Sequence, residues 1–200
     1  MRTEAQYFEE FGITYAQYRA VIDNLLLNNQ TTGPNQSEDL VDYTKMNVQR
    51  MHRLDKTVHI STELSLALEK LESSYNVLII SEGWCGDAAQ ILPVIQKIAE
   101  HSNGKLNLKI VLRDEHLPLI DQYLTNGGRA IPVVLFMDGE KGEVMAKWGP
   151  RPDFLQEKMQ IWKTETSDIW ELSKWIHTWY AKDKTQSIQE EMIKIISSLH

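Results

Sequence analysis

The chain has 200 residues, 42% of them hydrophobic, and 28 acidic against 21 basic side chains give a formal charge of −7. That is enough chain for one domain with its own core plus an extension, and the acidic balance leaves no bulk electrostatic footprint for a nucleic-acid backbone. The single cysteine, Cys85, excludes an internal disulfide and any zinc site built on several thiolates. No segment approaches the ~20 apolar residues of a membrane span, and the polar N-terminus lacks the apolar run of a signal peptide. The expectation is a cytoplasmic protein with no metal and no cofactor, and with neither nucleic acid nor membrane as a partner.

Helix-start signals crowd the first 55 residues. Thr3 with Gln6 and Thr14 with Gln17 have capping-box spacing and predict two short helices. The polar stretch NNQTTGPNQSED (28–39) reads as a loop, and Ser37 as the cap of a third helix with Leu40, Thr44, Val48 and Met51 on one face. From residue 57 strands and helices alternate. TVHI (57–60) reads as a short strand, residues 61–74 as a helix, and NVLIIS (76–81) as a strand buried on both faces. A helix over 86–102, a strand over 106–112 and a helix near 115–125 follow. Two strands, PVVLFMD and EVMAKW, are joined by the turn GEKG. Three further helices hold Trp162, Trp170, Trp175 and Trp179, aromatics whose helical spacing suits packing or assembly; Ser187 and Glu190 have the spacing of another capping box.

Trp84-Cys85-Gly86 at a strand end, Pro93 in the following helix, Ala130-Ile131-Pro132 before a strand, the turn DGEKGEV and Gly149 stand in an order that resembles the thioredoxin superfamily. The resemblance covers about 57–163 and implies an α/β, thioredoxin-like three-layer fold with a central mixed sheet. An N-terminal helical extension (1–56) and a C-terminal one (164–200) flank it. By this resemblance Cys85 is the catalytic sulfur, Trp84, Gly86, Asp87 and Ala88 form its motif, and Ile131-Pro132 is the family's cis-proline loop. Ala88 stands where thioredoxins carry the second, resolving cysteine, and Ile79 where they carry a buried aspartate.

A sulfur at a helix N-terminus meets unpaired N–H groups that favour thiolate, whereas Asp87 and Glu82 oppose it; the net expectation is a pKa below that of free cysteine. Such a site performs monothiol exchange or redox sensing, with low-molecular-weight thiols or a protein disulfide as partners. The alternative is a non-catalytic protein-binding or chaperone-like module, because free cysteine is often buried and inert. An extended peptide would pair with the backbone beside Pro132. Arg50 and Arg53 share a helix face; they either pair with Glu82 or Asp87 beside Cys85 or lie solvated near the helix end.

Overall fold

The computed structural model describes residues 2–199. Both N-terminal capping boxes form: Thr3 and Thr14 each accept an N–H from the glutamine three residues on, and that glutamine side chain returns to the cap backbone. They start α1 (Glu4–Glu10) and α2 (Tyr15–Leu26). Ser37 precedes α3 (Glu38–Thr57) without a side-chain cap bond.

The sheet has four strands among the described residues, β1 (Tyr75–Ser81), β2 (Leu106–Leu112), β3 (Val133–Asp138) and β4 (Val144–Trp148), in the order β2-β1-β3-β4. β1 runs parallel to β2 and antiparallel to β3, and β3 antiparallel to β4. This is a mixed sheet, and β1 and β3 are buried along nearly their whole length, as continuous apolar runs require. Between the strands lie α4 (Thr62–Glu69), α5 (Gly86–His101) and the short α6 (Leu117–Ile120) after a 3-10 turn. Then come α7 (Asp153–Glu165), α8 (Ile169–Asp183) and α9 (Gln186–Ile196). Among the described residues no helix is long and apolar enough to cross a membrane.

Three local expectations are corrected. TVHI is not a strand: α3 runs through Thr57, and Val58 N–H bonds back to Leu54. The polar groups that a sheet neighbour would have met are taken by one side chain of α9, Gln189, which accepts from Ser61 N–H at 2.8 Å and donates to the His59 carbonyl at 3.1 Å. The helix expected over 115–125 shrinks to the 3-10 turn and α6. Ser187 does not cap α9, whose N-cap is Thr185; Ser187 lies inside the helix and donates to Asp183.

Tertiary packing therefore holds 58–61 where local β-propensity does not. Gln189→Ala leaves the Ser61 N–H and His59 carbonyl without their partner and is expected to cost about 1–3 kcal/mol, read as a lower urea midpoint with an unchanged slope.

Candidate active site

Cys85 is the N-cap of α5. Its Sγ accepts the Ala88 N–H at 3.4 Å, and its thiol donates to the Ile131 carbonyl at 3.3 Å. The Ile131-Pro132 peptide is cis. Gly149, the residue after β4, lies against this loop; its φ of +108° and the 2.3 Å separation between a would-be Cβ and the Pro132 carbonyl oxygen admit no side chain. Two distant segments thus meet at the sulfur. The Ile131 carbonyl, expected to be free for an extended partner, is taken by Cys85 itself, and Ile131 is buried.

The thiol is only 7% exposed, and its pKa is pushed up to about 12, first by burial and then by the charge of Asp87. The expectation of a lowered pKa is overturned. The Ala88 N–H and Arg151 do pull toward thiolate, but a sulfur stripped of water cannot regain hydration from one long N–H contact.

Asp87, on the first turn of α5, is buried as well. Its Oδ2 pairs with Arg151 Nη2 at 2.6 Å, and its Oδ1 accepts from the Tyr180 hydroxyl of α8 at 2.9 Å. Arg151 therefore does what was expected of Arg50 or Arg53. Arg50 instead donates to Asn47 Oδ1 at 2.7 Å, and Asn47 donates to the Gly83 carbonyl at 3.0 Å, which steadies the loop before Trp84. Arg53 is exposed and makes no ion pair among the described residues. Glu82 is fully buried; one carboxylate oxygen accepts from Asp114 N–H at 2.8 Å and the other has no partner among the described residues. Burial moves its pKa up.

Over Gly86 lies the ring of His177, also from α8: a Cβ at Gly86 would come within 2.9 Å of His177 Nε2. Burial, then Arg50, lowers the His177 pKa to about 3, so the ring is neutral at physiological pH. Its Nδ1 faces the Gln90 side-chain amide at 3.1 Å. Trp84 is half-buried beneath the Arg113 guanidinium, 4.7 Å from the ring centre.

A cavity of about 370 Å³ opens over this constellation, with Cys85, Trp84, Gly86, Asp87 and Ile131 in its lining. α8 supplies Leu172, Ser173, Ile176 and His177 to the same walls. Sequence reasoning missed Arg151, Tyr180 and His177. Only the position of Arg151, two residues beyond Gly149, hinted at nearness to the proline loop. No cluster of three or more metal-ligating side chains occurs among the described residues.

The family model described as "Thioredoxin" matches residues 33–166. The chain belongs to the thioredoxin family. Thioredoxin 1 of Nostoc sp. is 30% identical over 97 residues, covering 48% of this chain and 88% of that protein. Thioredoxin 1 of Synechococcus elongatus is 30% identical over 92 residues, covering 45% and 83%. A protein of unknown function from Pseudomonas aeruginosa shares the fold across the full length of both chains at a TM-score of 0.68 and 17% identity. This thioredoxin-family chain differs from a C-x-x-C protein at Ala88, a fully buried methyl side chain.

Two pH effects follow. The folded thiol keeps its proton where an unfolded cysteine, near pKa ~8.5, loses it. Stability is therefore full below pH ~8.5 and falls as pH rises toward about 12, and Cys85→Ser should flatten that alkaline slope in urea titrations. Asp87→Asn removes the anion beside the sulfur and leaves Arg151 unneutralised, so native-state alkylation of Cys85 should shift to lower pH. For His177 the sign is opposite: its contribution is present above pH ~6.5 and is lost as pH falls toward about 3. The acid-side loss of stability should shrink in His177→Gln.

Proposed function

We propose that this thioredoxin-family protein acts by one-sulfur thiol-disulfide exchange at Cys85. The observation that carries the reading is the sulfur at the N-cap of α5, bordering a cavity and facing the proline loop, with Ala88 where a second thiol would stand. Trp84, Gly86, Asp87, Ile131 and Pro132 shape the site, and Glu82 and Arg50 support the loop behind it. Without a resolving sulfur three residues on, a second molecule's thiol completes each cycle. The raised pKa makes the resting thiol latent, so exchange proceeds slowly from a small thiolate fraction.

A second reading, a non-catalytic binding module, is favoured by the burial of that same thiol. Intact-mass measurement after exposure to glutathione disulfide separates the two. Exchange gives a single adduct on the folded protein that is absent in Cys85→Ser, whereas the binding module gives one only after unfolding. On the exchange reading the protein should not turn over insulin disulfides with a thioredoxin reductase, and Ala88→Cys should raise that turnover. Robust reductase-coupled turnover by the unaltered protein would sink the one-sulfur mechanism.

A further inference from the structure

We infer that the cavity over Cys85 takes a small disulfide or thiol carrying carboxylate groups, in preference to a protein disulfide; the inference rests on the exchange reading above. Three observations carry it.

The first is charge. In a chain of net charge −7, the cavity lining holds four cationic side chains, Arg113, Arg129, Arg151 and Lys163, against one carboxylate, Asp87. His177 is neutral and adds nothing. Asp114 and Asp121, which pair with Arg113 and Arg129, are not part of the lining. The buried Arg151 Nε has no partner among the described residues, and Lys163, exposed at the cavity wall, makes no ion pair among them. A carboxylate entering this cationic lining gains charge-assisted hydrogen bonds, which are shorter and stronger than neutral ones.

The second is placement. Arg113 is fixed over Trp84 and donates to the Arg129 carbonyl at 3.1 Å. Arg129 is held by both oxygens of Asp121, at 2.6 and 2.9 Å. Cations held beside the proline loop in this way lose little freedom when an anion arrives.

The third is size. About 370 Å³ lies at the small end of small-molecule sites, which run from about 300 to 1,000 Å³. Lys163 of α7 and Leu172 and Ile176 of α8 stand in its walls. A space of this volume suits a small disulfide.

The chemistry balances without a further oxidant. The Cys85 thiolate attacks one sulfur of R–S–S–R, the Cys85–S–S–R bond forms, and R–S⁻ leaves and takes a proton from solvent. A second small thiolate, R′–S⁻, then attacks the R sulfur, releasing R–S–S–R′ and restoring Cys85. One disulfide is made for each one broken.

The test uses the full chain and three probes: glutathione disulfide (anionic), 2-hydroxyethyl disulfide (neutral) and cystamine (cationic). The rate of Cys85 adduct formation is followed by intact mass, each rate divided by that of the urea-unfolded protein. The expected order is anionic, neutral, cationic, with about a tenfold gap between the first two that shrinks at 0.5 M salt and in Lys163→Glu. An equal or reversed order overturns the carboxylate preference and leaves the exchange reading standing. If no probe gives an adduct, the exchange reading falls, and calorimetry of reduced glutathione with Cys85→Ser decides the site. Saturable binding weakened several-fold by Lys163→Glu keeps it; absence of binding overturns it.

Discussion

The buried carboxylate of Asp87 is the constraint around which the rest of the site is arranged. Taking an ion out of water costs several kcal/mol unless it is paired and hydrogen-bonded. Here one oxygen meets the Arg151 guanidinium and the other the Tyr180 hydroxyl. These partners come from the segment after β4 and from α8, so the position of both relative to the start of α5 is fixed by the need to answer one charge. Tyr180 in turn holds its own proton more tightly than a free phenol, through burial and the neighbouring anion.

The sulfur next door shows how two rules compete at a helix N-terminus. Unpaired amides favour thiolate there, but the benefit presupposes a sulfur that is otherwise hydrated. At Cys85 the loss of water and the nearby anion outweigh the Ala88 amide and Arg151. The same burial keeps His177 neutral above Gly86, where only a hydrogen side chain leaves room for the ring.

What was legible in the sequence is what is decided locally or by close resemblance. The Thr-x-x-Gln boxes start their helices because both partners lie within one turn. NVLIIS pairs with LNLKIVL along its full length, and its continuous apolar run suits a strand buried on both faces. The meeting of Cys85 with the Ile131-Pro132 loop was legible only through the resemblance, since no periodicity links residues so far apart. The partners of Asp87 were not legible: an aspartate in a first helical turn looks like an ordinary cap-region charge, and nothing in SDIWELSKWIHTWY states which helix it will cross. TVHI failed for the same reason, since its β-branched residues carry no sign that Gln189 would take the backbone groups a strand partner would have used.

The N-terminal segment has an effect away from the site. Ile13 exchanges both backbone hydrogen bonds with Ile110 on the outer side of β2, at 2.9 and 2.8 Å, and Lys109 next to it donates to the Phe8 carbonyl at 3.2 Å. An uncovered strand margin is a template for pairing with another chain. At β2 the protein answers that template with its own backbone. At the other margin, β4 leaves Val144 and Met145 partly exposed, and the β3–β4 register shifts between Phe136 and Met137. One border of the sheet thus meets the chain's own backbone at Ile13, and the other ends on a strand whose pairing with β3 is irregular.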